Sequence, residues 1–170
     1  MRVRVAEIPE DGLRIEGCDA FDRPYQDPAW TLDDASLLVE KDGDAVFVHG
    51  HLAATVPQLC GRCLLPFTVT VAPEIETRFV PSPSGRGEEP ELAADDLETD
   101  VYANGALDLN ALLETETTLA LPMKPLCRED CRGLCPACGE NRNTAACTCE
   151  EHARDARWEP LKAWAVRQSR

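Results

Sequence analysis

The sequence predicts an α+β fold: an antiparallel β-rich sheet or barrel-like domain with a packed helix and a C-terminal zinc-ribbon-like cysteine cluster. Three observations predict it. Apolar residues alternate on both sides of Asp42-Gly43, a strong hairpin signal. One stretch of helical period follows Asp108. Six of the nine cysteines fall within residues 127–149, which read CREDCRGLCPACGENRNTAACTC.

Taken in order, residues 2–8 (RVRVAEI) alternate and 13–17 (LRIEG) do so weakly, so both read as short strands split by Pro9-Glu10-Asp11-Gly12. Residues 19–35 carry Pro24, Pro28 and Trp30 without a period and read as connecting structure, with Trp30 assigned to the core. Residues 36–41 and 44–56 form the arms of the Asp42-Gly43 hairpin. Cys60-Gly61-Arg62-Cys63 then sits at a turn before a second strand-like run, 68–80, so that 36–80 reads as an antiparallel meander within a barrel or curled sheet. Residues 81–100 are proline- and acid-rich. They bury too little apolar surface to offset their ordering entropy and read as a mobile loop.

One more strand with an Asn-Gly turn is expected at 101–107. Asp108 then offers an N-cap to a helix over about 108–121, with Leu109, Leu112, Leu113 and Leu119 as its apolar stripe and Pro122 as its stop. Trp158, Leu161 and Ala165 recur at helical spacing within 155–167, where Pro160 confines any helix to start near it. The expected division is a β-rich domain over 1–122 and a knuckle cluster with a tail or short helix over 123–170.

Nine cysteines divide as eight plus one. CPxCG at Cys135 and Cys138 is a zinc-knuckle turn, and Cys147 and Cys149 are near enough to complete a four-thiolate site. Cys60, Cys63, Cys127 and Cys131 form a second set with metal-site spacings, across 63 intervening residues. Cys18 is left over as a small buried hydrophobe. One or two structural zinc ions are therefore expected. Alternatives remain at this point. Cys127 or Cys131 can replace Cys147 or Cys149 in a single site, His152 can ligate, and His49 and His51 share one strand face. Arg62 would favour a thiolate in a redox reading of Cys60 and Cys63, but no thioredoxin-like βαβ pattern surrounds them.

Composition narrows the function classes. Thirty-one acidic residues against 17 Lys and Arg give a net charge of −14, which does not favour a nucleic-acid partner by bulk attraction. The charge is uneven: residues 86–116 hold 10 acidic and one basic residue, whereas 124–170 hold nine basic and seven acidic. The N-terminus lacks a signal-peptide h-region and no run approaches a membrane span, so a cytoplasmic, membrane-free protein is expected. Reduced thiols there more often mean metal than disulfides. No phosphate loop, nucleophile elbow or HExxH is present, and four-cysteine coordination leaves no open ligand position, so no enzyme and no small-molecule substrate is expected.

LCGRCL followed by PF and a strand, the acidic gap, DLNALLETETTLALPMKPLC, then CRGLCPACGENRN with a closing CxC occur in that order. This series resembles the YceD-like family, whose members are also called large ribosomal RNA subunit accumulation proteins, over roughly residues 40–165. The resemblance implies a bacterial, non-enzymatic factor for accumulation of large-subunit (23S) ribosomal RNA. Such a factor would bind that RNA or an early ribosomal complex, and no catalytic residues carry over. Direct RNA contact would use Arg62, Arg128, Arg132 and Arg142 around the knuckles; the same arginines can instead offset thiolate charge. Two other classes compete. One is a zinc-stabilised interaction module whose acidic face, residues 88–100, binds a basic ribosomal protein. The other is a thiol-disulfide enzyme. Oligomeric state is left open.

Overall fold

Strand pairing is organised by the longest apolar alternation in the chain. The computed structural model describes residues 1–82 and 99–149. In it, strand β4 (Ala45–Leu59) buries Val46, Val48, Leu52, Ala54 and Val56, all of one parity and therefore on one face. Strand β3 (Thr31–Asp42) runs antiparallel to it, from Thr31 opposite Thr55 to Asp42 opposite Ala45, and buries Ala35, Leu37 and Val39 on the same side. The last pair leaves Gly43 and Asp44 as a two-residue hairpin loop, so the expected hairpin forms with its loop one residue later than Asp42-Gly43.

Gly50 sits opposite Leu37 at φ +154°, where a Cβ would lie 1.9 Å from the Ser36 carbonyl oxygen. Only glycine lets the two longest strands stay paired there.

Strand β2 (Leu13–Glu16) adds to the outer edge of β3. On the other flank of β4, β6 (Glu74–Pro81) pairs antiparallel along Val46–His51. Strand β5 (Pro66–Val71) also pairs with β4, with Thr55 Oγ1 3.2 Å from Thr70 Oγ1. Strand β7 (Thr99–Tyr102) then lies parallel to β6, giving the order β2-β3-β4-β6-β7 with β5 off the path. Strands β1 (Arg2–Arg4) and β8 (Ala106–Asp108) form a separate antiparallel pair.

Helix α1 (Leu109–Ala120) begins where expected: the Asp108 carboxylate accepts from the Ala111 N–H at 3.3 Å. Leu109, Leu112 and Leu113 bury into one cluster with Leu37, Val48, Ile75, Phe79 and Leu107, and Thr117 on the same helix is also fully buried. Tyr25 Oη of the cluster and Thr117 Oγ1 lie 3.0 Å apart, and Trp30 packs against the cluster's margin, 5.5 Å from the Tyr25 ring. Among the described residues no helix is long and apolar enough to cross a membrane.

Several expectations change. The sheet is strand-rich but does not close into a barrel: β2 and β7 remain unjoined edges among the described residues. The run is not a simple meander either, because β6 skips β5 to pair with β4 and β7 is parallel to β6. A parallel neighbour requires a long crossover, and residues 82–98 supply that connection. Most of the acidic segment expected to be mobile, 83–98, lies outside the described residues, whereas Thr99 and Asp100 belong to β7.

The single strand expected at 101–107 is two strands on different sheets, divided at Asn104-Gly105. Only 2–4 of the first run is strand; Val5–Glu7 turn as a 3₁₀ segment, with the Val5 N–H donating to the Gly105 carbonyl. Leu119 is 74% exposed rather than part of the helix stripe. Thr117 takes the buried position in that turn, and two residues on, about 200° around the axis, Leu119 faces away. Cys18 is half-buried rather than buried.

The chain divides into two compact units. The first is Met1–Gln58 with Pro66–Pro125; the second is Leu59–Leu65 with the residues from Leu126 onward. The short segment 59–65 therefore groups with residues more than 60 positions downstream.

Candidate metal centres

Both CxxC turns in the second unit are built the same way. At the first, the Cys60 N–H donates to the Leu65 carbonyl at 3.0 Å and the Leu64 N–H to the Cys60 carbonyl at 2.9 Å. At the second, the Cys135 N–H donates to the Glu140 carbonyl and the Gly139 N–H to the Cys135 carbonyl, both at 2.8 Å. The residue leaving each turn is left-handed: Leu64 at φ +59° and Gly139 at φ +75°. One therefore carries a side chain in a conformation that glycine takes freely.

Each turn presents its two sulfurs to two more. The sulfurs of Cys60, Cys63, Cys127 and Cys131 all lie within 4.8 Å of one another, and so do those of Cys135, Cys138, Cys147 and Cys149. The Cys60–Cys131 and Cys63–Cys127 sulfur separations are 3.8 and 3.7 Å. A tetrahedron of thiolates around zinc, with Zn–S near 2.3 Å, has edges of about 3.8 Å. A disulfide would bring sulfurs to about 2.05 Å, and all nine cysteines are free thiols. Both groups can hold a metal ion, and their donor sets suit zinc.

The electrostatics of the two groups match. Backbone N–H groups of Cys127 and Cys63 lower the Cys60 thiol to about 6. Those of Cys138 and Ala137 lower the Cys135 thiol to about 6. In each group another thiol is pushed up to about 12. For Cys127 the main cause is lost hydration, followed by the neighbouring sulfurs; for Cys149 it is the Cys138 sulfur, followed by lost hydration. Four crowded sulfurs can ionise together only around a cation, which reverses this mutual repulsion.

The groups differ in access: Cys60, Cys63 and Cys131 are buried, whereas in the second group only Cys135 is, and Cys138 and Cys149 are exposed. Of the histidines considered as ligands, His51 Nε2 lies 3.3 Å from Asp34 Oδ2 and His49 stacks on Phe47 at 6.3 Å. Neither belongs to a group of three or more potential ligands among the described residues. His152 and the helical spacing at 155–167 lie outside the described residues.

The model of the family described as "Large ribosomal RNA subunit accumulation protein YceD" matches residues 48–164, well over half of the chain and inclusive of all eight clustered cysteines. The chain belongs to the YceD family. That description names no catalytic activity.

Uncharacterized proteins of Mycobacterium bovis and Mycobacterium tuberculosis are each 34% identical to this YceD-family chain over 106 residues, 62% of this chain and 49% of theirs. One from Mycobacterium leprae is 28% identical over 103 residues, 61% of this chain and 46% of its own. The YceD-family chain thus spans about half the length of the curated relatives it matches. No solved structure matches it.

The four arginines singled out from the YceD-family sequence all fall in this unit and divide into two pairs. Arg62 Nη1 donates to the Glu129 and Cys131 carbonyls at 3.0 and 2.9 Å, tying the first turn to the downstream segment. Arg128 donates to Asn143 Oδ1 at 2.8 Å and pairs with Asp130 at 3.3 Å. The guanidinium groups of Arg132 and Arg142 have no partner among the described residues.

Two features escaped the sequence reading. Gly133, at φ +70°, passes so close to the first turn that a Cβ would lie 2.9 Å from the Arg62 carbonyl oxygen, which accepts from the Leu134 N–H at 3.1 Å. Asn143 donates to the Cys131 sulfur at 3.4 Å. Its place five residues after Cys138 gave no sign of service to the other group.

Proposed function

We propose that this chain is a non-enzymatic factor in the accumulation of large-subunit (23S) ribosomal RNA, acting in the cytoplasm and stabilised by two structural zinc ions. One ion would be held by Cys60, Cys63, Cys127 and Cys131, the other by Cys135, Cys138, Cys147 and Cys149. The observation that carries the reading is the pair of complete four-sulfur groups within a chain of this family. Zinc with four thiolates has no open position for substrate or water, so its contribution is to fold the unit rather than to catalyse.

Two zinc ions each held by four thiolates would add about four negative charges to the unit, so what suits it to a nucleic acid is the placement of its arginines rather than its net charge. Its described part sets Arg62, Arg128, Arg132 and Arg142 against Glu129, Asp130 and Glu140, in a chain whose net charge is −14. The four arginines are the proposed RNA contacts, to the RNA alone or within an early ribosomal complex.

A second reading is favoured by Leu59, Leu64 and Leu65, which are 61%, 60% and 50% exposed around the first turn. Exposed apolar side chains of this size suit a protein partner, here a ribosomal protein. Residues 88–98 of the acidic segment that would meet a basic partner lie outside the described residues.

Metal analysis of the protein as purified, joined to measurement of large-subunit ribosomal RNA in cells depleted of it, tests the proposal. About two zinc ions per chain and a selective fall in that RNA are expected. One ion or none, or unchanged RNA, contradicts it. Co-purification with a ribosomal protein that survives nuclease moves the contact to the second reading.

A further inference from the structure

We propose that Arg132 and Arg142 form a binding site for backbone phosphate of RNA. The inference rests on the RNA reading above and assigns the contact to one place. The two side chains line one cleft of about 470 Å³, together with Ala145, Ala146 and Cys147. Among the described residues no carboxylate lines it.

Both arginines are fixed at their backbones. The Arg132 N–H donates to Asn143 Oδ1 at 2.8 Å, and the Arg142 N–H to the Gly133 carbonyl at 3.0 Å. Leu134 and Asn141, the neighbours between them, form a β-bridge. The loop that would hold a metal therefore also sets the spacing of the two arginine backbones, so little backbone ordering remains to be done on binding.

The competing use of these arginines is to neutralise thiolates, since Cys147 borders the cleft. The hydrogen bonds argue otherwise. Among the described residues, the side-chain N–H that reaches a cysteine sulfur is that of Asn143, and no guanidinium does so. Arg62 and Arg128, by contrast, already bind carbonyl, amide and carboxylate oxygens of the protein. Two fork-shaped cations lining one cleft, with no oxygen partner among the described residues, match the tetrahedral oxyanion of a phosphodiester. Phosphate contact carries no sequence information, so the site positions RNA rather than reading it.

The test uses the full-length, metal-loaded chain and a short fluorescein-labelled single-stranded RNA, titrated over a range of salt. Replacing both arginines (R132Q/R142Q) is expected to weaken binding about tenfold or more. It should also reduce the slope of log affinity against log salt by about 2. Bound metal and the thermal midpoint should stay as in the wild type. Ala146→Glu, which keeps both arginines and places a carboxylate in the cleft, should weaken binding similarly. Arg14→Gln and Arg78→Gln, on strands of the other unit, should not.

Wild-type affinity in R132Q/R142Q, or no measurable RNA binding by the parent chain, overturns the site. So does loss of metal from the double variant while A146E binds RNA normally, which would return the arginines to the thiolates. Displacement of the RNA by polyglutamate at equal charge concentration would also overturn it, in favour of an acidic protein partner. Cells separate the two levels of the argument. If depletion leaves large-subunit RNA unchanged, the functional reading fails; if it falls and R132Q/R142Q restores it fully, only the phosphate site fails.

Discussion

Asn143 Nδ2 donates to the Cys131 sulfur at 3.4 Å, from a loop flanked by the cysteines of the other four-sulfur group. The same side chain donates to Asn141 Oδ1 at 2.7 Å, while its oxygen accepts from Arg128 and from the Arg132 N–H. An N–H directed at a thiolate stabilises its charge and fixes its orientation, so Asn143 is a positioning residue for a group to which it contributes no ligand.

Asn143→Ala should weaken metal retention by Cys60, Cys63, Cys127 and Cys131 about 10–100-fold in competition with a chromogenic chelator. Asn143→Asp, nearly isosteric but acidic, should do at least as much harm, because a carboxylate replaces a donor beside sulfur. Retention equal to the wild type in both variants would remove Asn143 from this role.

Metal release should be stepwise. Cys138 and Cys149 are exposed in one group, whereas in the other only Cys127 is and Cys60, Cys63 and Cys131 are buried, so a chelator should take an ion bound by the cysteines of 135–149 first. Stopped-flow release should show two phases, and Cys138→Ser should abolish the faster one. A single phase, or loss of the slower one in that variant, would show that exposure does not set the order.

Leu64 occupies at φ +59° the place that Gly139 fills in the second turn, and it is 60% exposed. Leu64→Gly should raise the stability of the metal-loaded protein by about 0.5–1 kcal/mol, because the left-handed conformation no longer opposes a Cβ. Calorimetry checks this. A lower midpoint would mean that the leucine packs usefully despite its exposure.

Asp108 links helix capping to pH. Burial opposes its charge, but hydrogen bonds from Arg2 and the Ala111 N–H, with the charges of Arg2 and the N-terminus, hold its carboxyl below the usual range. With the folded value lowered, its ionic stabilisation is complete above about pH 4 and is lost as pH falls through the folded value. Asp108→Ala should cost about 1 kcal/mol at neutral pH. Asp108→Asn, which retains an acceptor, should cost less, and its deficit should vanish in acid. A deficit independent of pH would leave only the cap and no ionic part.

Local chemistry was legible in the sequence. The Asp42-Gly43 hairpin, the Asp108 cap, the helix and the cysteine pairs each depend on residues within a few positions of one another. What escaped is set by distant partners. Gly50 carries no mark that Ser36 would pass within reach of its missing Cβ. Parallel pairing of β7 with β6 depends on the long connection over residues 82–98 rather than on the content of either strand. Leu119 keeps a helical period with Leu112, yet burial follows Thr117 because Tyr25 meets it from a loop 92 residues away. Asn143 resembles any turn asparagine until the sulfur it serves is placed beside it.

The insertion of 59–65 into the second unit also has a temporal side. During synthesis Cys63 emerges 64 residues before Cys127, an interval of roughly 3–13 s at about 5–20 residues per second. For that time the first turn is a two-thiol half-site, able to lose a metal to any competitor or to close on itself under an oxidant. The strands from β5 to β8 and helix α1 are all made within this window. Closure of the four-sulfur group therefore marks the end of the first unit's synthesis, and metal shortage or oxidation would act on the newborn chain before it acts on the finished one.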